Sequence, residues 1–168
     1  MGKRKIGIKQ HDITDCGAAC LASVAAHFGL EMPISKIRQY ASTDKKGTNI
    51  LGLMEAAEKL GLSAKGVKGE FESLFKIPTP TIAHVVVKEV LHHFVVIYKA
   101  TDKFIQVMDP MDGKVHKIPH AEFKKQWTGV LVLIMPAEEF EPGSEKVSIL
   151  SRMWFLLKPH RVVLFQAL

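Results

Sequence analysis

The residue types that could do chemistry are concentrated in the stretch from Gln10 to Leu21, which reads QHDITDCGAACL. Cys16 lies where this polar run gives way to an apolar, alanine-rich segment, so we place it in the first turn of a helix capped by Thr14 or Asp15. Free backbone N–H groups and the positive end of the helix dipole favour the thiolate, which is the nucleophilic form of cysteine. Gln10 lies just upstream, where its side-chain amide could donate a hydrogen bond to an oxyanion. We therefore predict Cys16 as a nucleophile and Gln10 as an oxyanion donor.

The second cysteine of the chain fits the ordinary structural role of a small, buried apolar residue. Cys20 lies one helical turn after Cys16 and is followed by Leu21, so it is expected to face the core. Two cysteines at this spacing on one helix are poorly placed for a disulfide, and they form no zinc site without further ligands. Two cysteines that do not pair indicate a reducing compartment.

A cysteine nucleophile needs a base within hydrogen-bonding reach and a third group that orients the base. Among the eight histidines, His92 and His93 open a predicted strand, with one side chain directed to each face. Asp109 ends the next strand, and adjacent antiparallel strands would bring it near the start of the histidine strand. From spacing alone, Cys16, one of the two histidines and Asp109 form a candidate triad.

The elements that must position these residues are helices first and strands afterwards, which predicts the α+β class. Residues 6–8 are predicted as a short strand that leads into Gln10. Helices are predicted over residues 16–27, 36–40 and 50–60, the second capped by Ser35 and the third by Thr48 or Asn49. Strands are predicted over residues 62–67, 81–87, 92–99, 103–108, 114–118 and 129–135, the last of them central. The buried face of the third helix is expected to carry Leu51, Met54, Ala57 and Leu60.

Composition and length bound the organisation of the chain. Its 168 residues, 47% apolar and 24% charged, fit one globular domain with an appendage. We assign residues 1–136 to this domain, and residues 137–146, which are acidic and contain Pro and Gly, to a linker. Residues 147–168 are apolar with flanking cations, which is typical of a segment at a membrane interface; the alternative is a helix packed on the domain. No secretory signal, full membrane-spanning run or glycine-rich nucleotide motif is recognisable.

Three blocks of sequence resemble a known family when they are taken in order. QHDITDCGAACLASVAAHFG, LHHFVVIY and VMDP resemble the N-terminal peptidase domain of bacteriocin-processing peptide exporters of the ABC-transporter class, over about residues 5–135. The resemblance implies a papain-like fold, in which a helical half carries the cysteine and an antiparallel sheet carries the histidine and the aspartate. Residues 155–159 resemble the segment that leads into the first transmembrane helix of these exporters.

The resemblance also implies roles for individual residues. Cys16 matches the nucleophile of the family, and His93, which directly precedes Phe94, matches the general base, whereas His92 is not at the motif position. Asp109 matches the residue that orients the imidazole, and Gln10 matches the oxyanion donor. No metal or organic cofactor is implied for this domain.

The implied activity is removal of a leader from peptide precursors after a double-glycine site, coupled to export. The implied partners are the leader peptide and the transmembrane and nucleotide-binding domains of the same exporter, where ATP would bind, with no nucleic acid. The full-length protein would be a homodimer at the cytoplasmic face of a bacterial plasma membrane, although the fragment alone could be a monomer.

Three other readings compete with this one. The first is a non-catalytic domain that only docks leader peptides, which is expected to have lost the cysteine or the histidine. The second is another enzyme of papain-like fold, such as a transglutaminase or an acyltransferase, and the QHDITDCGAAC block argues against it. The third is a structural α+β scaffold in which Cys16 is inert, and this reading predicts slow alkylation of the thiol at neutral pH.

Overall fold

The helices and strands of the computed structural model, which describes residues 5–42 and 47–145, follow the predicted order and confirm the α+β class. The α-helices are α1 (Cys16–His27), α2 (Ile34–Tyr40), α3 (Ile50–Lys59) and α4 (His120–Gln126). The strands are β1 (Leu30–Glu31), β2 (Leu62–Lys68), β3 (Thr81–Val87), β4 (Leu91–Ala100), β5 (Ile105–Asp109), β6 (Lys114–Ile118), β7 (Trp127–Pro136) and β8 (Gly143–Ser144). Short 3-10 turns cover Ile13–Asp15 and Phe71–Phe75.

Six strands form one antiparallel sheet in the order β2-β7-β3-β4-β5-β6. The strand predicted as central, β7, lies inside the sheet between β2 and β3. Side chains alternate across the sheet, so that Phe94 and Val96 of β4 join the core beneath the helices. Val95 and Ile97 join a second core on the opposite face, together with Phe123 of α4. Because both faces of β4 are covered, the residues in the middle of the strand, from Phe94 to Ile97, are all apolar and buried.

Helix α1 is buried on all sides because its side chains are small. Ala18, Ala19, Ala22 and Ala25 are fully buried, and α1 packs directly on β4. Alanine side chains let a helix approach a sheet closely while the interior stays densely packed. The N-terminus of α1, and with it Cys16, is thereby held against the sheet.

The turn before α1 is capped differently from the prediction. The carboxylate of Asp12 accepts the N–H of Asp15, and the carboxylate of Asp15 accepts the N–H of Asp12 at 3.1 Å, which together make a reciprocal capping box. The carboxylate of Asp12 also accepts the N–H of Ile13. Asp15 occupies the N-cap position of α1, one of the two predicted, but its side chain makes no capping hydrogen bond to that helix. The 3-10 turn inserted before α1 is what moves the cap upstream.

The two later helices test the other predicted caps. Asn49 accepts the N–H of Gly52 at 2.7 Å and caps α3, as predicted. Ser35 does not cap α2, because this helix already begins at Ile34 after Pro33, whose fixed φ suits a helix start. The predicted buried face of α3 was wrong at Leu51, which is 64% exposed. The helix turns Leu53 and Ala56 toward the core instead.

Residues 6–8 do not form the predicted strand. The N–H of Ile6 is 3.2 Å from the hydroxyl of Tyr98, and the N–H of Ile8 donates to the hydroxyl of Ser23 at 3.0 Å. These side-chain hydroxyls thus accept the backbone hydrogen bonds that a neighbouring strand would otherwise accept. They tie the segment before Gln10 to β4 and α1.

The acidic segment after β7 lies along the helical side of the domain over its described part. Phe140 packs edge-on against Phe28, with ring centroids 6.4 Å apart, and β8 pairs in parallel with β1. The domain boundary at residue 136 stays a prediction, and the segment 147–168 lies outside the described residues. No helix within residues 5–42 and 47–145 is long and apolar enough to cross a membrane.

Gly52 gives a prediction about packing between α2 and α3. A Cβ atom at this position would lie 2.3 Å from the carbonyl oxygen of Ala41. Gly52→Ala should therefore destabilise the protein by about 1–3 kcal/mol, although the same change inside an unconstrained helix stabilises it. The free energy of unfolding from urea titration measures the effect. The control is Glu58→Ala on the exposed face of the same helix, and equal stability of the two variants would contradict the packing argument.

Candidate active site

The predicted triad residues meet at the junction of the two halves. Cys16 is the first residue of α1, His93 lies near the start of β4, and Asp109 ends β5. His93 Nε2 lies 2.9 Å from Asp109 Oδ1, and the Cys16 side chain is close enough to the same imidazole to raise the pKa of His93. The structure therefore brings the thiol, the imidazole and the carboxylate together.

The contacts of His93 determine which ring nitrogen faces which neighbour. A carboxylate only accepts hydrogen bonds, so Nε2–H of His93 donates to Asp109 and Nδ1 is left for the thiol. Burial by itself lowers the pKa of His93, but its hydrogen bonds with Asp109 and Cys16 outweigh burial and raise the pKa to about 9. At neutral pH the ring is therefore an imidazolium, the form that pairs with a thiolate.

Asp109 is fixed by its own hydrogen bonds. Its Oδ1 atom also accepts the N–H of Met111 at 2.8 Å. Burial raises the pKa of Asp109, yet the hydrogen bonds from His93 and Met111 outweigh this and leave the pKa below the ordinary value. The carboxylate is thus ionised and cannot turn away from the imidazole.

The two cysteines have the separate environments that the sequence predicted. Cys16 lines a cleft, whereas Cys20 is fully buried one turn further into α1. Burial raises the pKa of Cys20 well above its ordinary value, and Cys16 and Asp109 raise it further. Cys20 therefore stays a protonated core residue.

Gln10 lies beside the end of β5. Its backbone N–H donates to the carbonyl of Pro110 at 2.8 Å, directly after Asp109. Its side-chain oxygen Oε1 is buried, with no hydrogen-bond partner among the described residues. The segment from Gln10 to Cys16 is consequently anchored at one end to the turn that carries Asp109.

A cleft of about 650 Å³ opens at Cys16. One wall comes from the turn before α1, with Ile13 and Thr14, and the opposite wall from the sheet, with Phe94 and Val130. The described lining also includes Gly47, Thr48, Asn49, Ile50, Lys68, His84, Leu91, His92 and Thr128. The cleft is mostly apolar, and no acidic side chain among the described residues lines it.

Sequence reasoning missed a histidine pair in this cleft. Thr128 Oγ1 donates to the carbonyl of His84 at 3.0 Å, so it accepts from His84 Nδ1–H at 2.9 Å. His84 Nε2 is then the acceptor that faces His92 Nδ1 at 3.3 Å. Burial lowers the pKa of His84, and His92 and His93 lower it further. The sequence signal that could have revealed this pair was cross-strand spacing. Val86 pairs with His92, which places His84 diagonally opposite His92 on the same face of the sheet.

The contacts of His92 and His93 show which of these adjacent histidines pairs with the carboxylate of Asp109. The two side chains leave β4 on opposite faces, as predicted. His93 is 3% exposed and meets Asp109, while His92 is exposed and meets His84. Within residues 5–42 and 47–145, no group of three or more His, Cys, Asp or Glu side chains is placed to hold a metal ion.

Comparison with known proteins places this geometry among peptidases. The sequence model described as the peptidase C39 family matches residues 4–139. The lactococcin-G-processing and transport ATP-binding protein LagD of Lactococcus lactis is 39% identical over 152 residues, which is 89% of this chain and 22% of LagD. The pediocin PA-1 transport/processing ATP-binding protein PedD of Pediococcus acidilactici is 32% identical over 92% of this chain and 22% of its own length. The chain thus spans about a fifth of these relatives.

Solved structures similar to this chain are also peptidase domains. The peptidase domain of Streptococcus ComA, a bi-functional ABC transporter of a quorum-sensing pathway, superposes with a TM-score of 0.74 at 34% identity. The alignment covers 79% of this chain and 99% of that domain. A double-glycine-motif protease from an AMS/PCAT transporter, solved with its leader peptide, gives a TM-score of 0.73 at 33% identity, covering 81% of this chain and 95% of that one.

The charge on His93 gives a prediction about Asp109. Asp109→Asn removes the anion that holds the proton on the imidazole, so the pKa of His93 should fall from about 9 to about 7 or below. The pH dependence of the imidazole proton signals in NMR spectra measures this value. The control is Asp112→Asn, because Asp112 pairs with the exposed His116 at 2.8 Å and should leave His93 unchanged. A pKa of His93 that stays near 9 in Asp109→Asn would contradict the assignment.

Proposed function

The chain belongs to the peptidase C39 family, and from this premise we propose that it removes the leader from peptide precursors after a double-glycine site, as one domain of a peptide exporter. Cys16 is the nucleophile, His93 the base and acid, Asp109 the orienting carboxylate and Gln10 the oxyanion donor. The observation that carries the proposal is the meeting of Cys16, His93 and Asp109, with Cys16 lining the cleft.

The coarser predictions are confirmed by the comparisons. The family and the solved peptidase domains bear out a cysteine peptidase with a papain-like α+β fold. LagD and PedD are named as both processing and transport proteins, which bears out the predicted class of exporter peptidase domains. The chain's own substrate and the role of each residue belong to the proposal.

The first chemical step is attack on the scissile carbonyl. His93 already carries a proton on Nδ1, so the thiolate sulfur of Cys16 forms a bond to the carbonyl carbon of the second glycine. The electron pair of the carbonyl moves to oxygen, where the backbone N–H of Cys16 and the side-chain amide of Gln10 donate hydrogen bonds. Asp109 keeps the ring of His93 in the orientation needed for its later proton transfer to the leaving amine.

The second step releases the cargo and the third releases the leader. When the carbonyl re-forms, the C–N bond breaks and His93 gives its proton to the leaving amine, which leaves the leader as a thioester on Cys16. His93 then takes a proton from water, and the hydroxyl attacks the thioester. Collapse of this second intermediate returns the thiolate and the carboxylate of the leader.

The surroundings of Cys16 support selection for glycine. A Cβ atom at Gly17 would already lie 3.1 Å from Cβ of Thr48 and 3.4 Å from the ring of Phe94. These two side chains therefore crowd the residue next to the nucleophile. A peptide without side chains at the scissile positions fits such a site best, and this matches the double-glycine motif named for the related protease.

An apolar surface next to the cleft supports docking of an upstream leader helix. The surface, which we call the α3 patch, lies between α3 and the sheet and consists of Ile50, Leu51, Met54, Val67 and Val130. Ile50 and Val130 line both the patch and the cleft, so the two are continuous. Exposed apolar side chains arranged along a groove are what an amphipathic helix binds.

The names and lengths of the relatives support the proposal that this domain is part of a larger exporter. LagD and PedD are named as ATP-binding transport proteins and are far longer than this chain. We infer that this domain works at the cytoplasmic face of a bacterial plasma membrane beside the transmembrane and nucleotide-binding domains of the same exporter. ATP would bind in the nucleotide-binding domain, and the exporter would be a homodimer.

A cleavage assay tests the proposed function. The chain should cut a synthetic leader peptide after its second glycine, located by mass spectrometry, and should leave an Ala-Ala version uncut. Cys16→Ala and His93→Ala should each lower kcat by at least about a thousandfold, because both act in the same bond-making step. Gln10→Ala should lower kcat by about a hundredfold or more with little change in KM, since the oxyanion forms only in the transition state.

Two neighbouring residues provide matched controls for this assay. Cys20→Ala should keep cleavage, because Cys20 lies in the core, and His92→Ala should keep measurable cleavage, because the His93–Asp109 pair stays intact. Binding of the leader without cleavage by the unmodified chain would favour the non-catalytic docking domain. Cleavage that survives Cys16→Ala would contradict the proposed nucleophile.

The α3 patch gives a separate prediction about binding. Leu51→Glu places a charge where an apolar leader residue would dock, so KM should rise about tenfold or more while kcat changes little. Steady-state kinetics on the leader peptide measure both constants. The control is Met135→Glu, because Met135 is similarly exposed, at 51% against 64%, but lies outside the patch and the cleft. An unchanged KM in Leu51→Glu would place the leader elsewhere.

A further inference from the structure

Asp15 is a buried carboxylate that the proposed mechanism does not use. It directly precedes Cys16, and its side chain is 1% exposed. Its Oδ2 atom accepts the N–H of Asp12 at 3.1 Å. Its Oδ1 atom lies 2.8 Å from Nη1 of Arg38, whose side chain is 37% exposed. A buried carboxylate without a cationic partner is strongly unfavourable, so this pair fastens α2 to the turn that presents the nucleophile.

The position of Asp15 matters for the charge of its neighbour. A negative charge next to a thiol opposes ionisation of that thiol. The described groups that surround Cys16 are His93 and Asp109 from the sheet, Cys20 from its own helix, and His84, His92 and Lys68 along the cleft. Asp15 is the carboxylate closest to Cys16 in sequence, and Arg38 is the cation that directly opposes it.

We propose that Arg38 is a positioning residue for the nucleophile: it neutralises Asp15, so that the buried carboxylate can hold the turn from Asp12 to Cys16 without suppressing the thiolate. Asp15 supplies the hydrogen bond that closes the capping box. The positive charge of Arg38 offsets the negative charge of Asp15, which would otherwise oppose ionisation of the Cys16 thiol. This role rests on the proposed function of Cys16, but it is measured on the thiol itself.

The test is the pH profile of alkylation of Cys16 by iodoacetamide, followed by mass spectrometry of the peptide that contains it. Arg38→Gln leaves Asp15 without its cation, so the rate at about pH 6 should fall about three- to tenfold, while the plateau at high pH should stay unchanged. Asp15→Asn combined with Arg38→Gln removes both charges and should restore the rate to within about twofold of the unmodified protein. Arg38→Lys keeps the charge and should behave like the unmodified protein.

A neighbouring ion pair offers a matched control. Lys36 is on the same helix, its side chain is 36% exposed against 37% for Arg38, and it pairs with Glu145 far from the nucleophile. Lys36→Gln should leave the alkylation profile unchanged, and thermal unfolding should show that every variant used is folded. If Arg38→Gln does not fold, the comparison of Asp15→Asn with the unmodified protein serves instead, and Asp15→Asn should react faster at about pH 6.

Three results would overturn the proposal. The first is an Arg38→Gln profile equal to that of the unmodified protein, and the second is a loss of rate that is the same at every pH, as a structural role would give. The third is a double variant that reacts as slowly as Arg38→Gln. Failure of the unmodified chain to cleave a leader peptide would count against the proposed function, while the alkylation profile would still decide the role of Arg38.

Discussion

The contact between the N-terminus of α1 and the start of β4 is the constraint on which the site depends. A sulfur from the helical half and an imidazole from the sheet half must lie within hydrogen-bonding distance of each other. The alanine-rich surface of α1 allows this close approach, because bulkier side chains would lift the helix off the sheet. The capping box before Cys16 and the bond from Gln10 to Pro110 then fix the turn that enters the helix.

Each side of this contact carries one pair of opposite charges: His93 with Asp109 on the sheet side, and Arg38 with Asp15 on the helical side. His93 is buried, which disfavours its charge, yet Asp109 and Cys16 restore that charge and raise the pKa of His93 to about 9. On the helical side, Asp15 is buried and Arg38 opposes it. The imidazolium and the Asp15–Arg38 pair therefore act in the same direction, since both allow a thiolate at Cys16 inside a mostly apolar cleft.

The parts of the fold and site that follow local patterns could be predicted from the sequence. The bounds of α1 and the order of the elements follow from helical periodicity, strand alternation and the polar-to-apolar change before Cys16. Strand order placed one of His92 and His93 beside Asp109, and the resemblance to the exporter peptidases selected His93. The parts that depend on tertiary contacts could not. Leu51 has helical core spacing, yet no element within residues 5–42 and 47–145 covers it. The Asp15–Arg38 pair and the His84–Thr128 bond join residues far apart in sequence, and no local pattern reveals such contacts.

The most direct test of the central claim is covalent labelling with a leader peptide that ends in a chloromethyl ketone after its second glycine. Such a reagent reacts with the nucleophile that faces the scissile position. If Cys16 is the nucleophile and His93 its base, the reagent should leave a single label per chain, located on Cys16 and absent from Cys20, and should label His93→Ala much more slowly. Labelling of another residue, or labelling of Cys16 at the same rate without His93, would contradict the account.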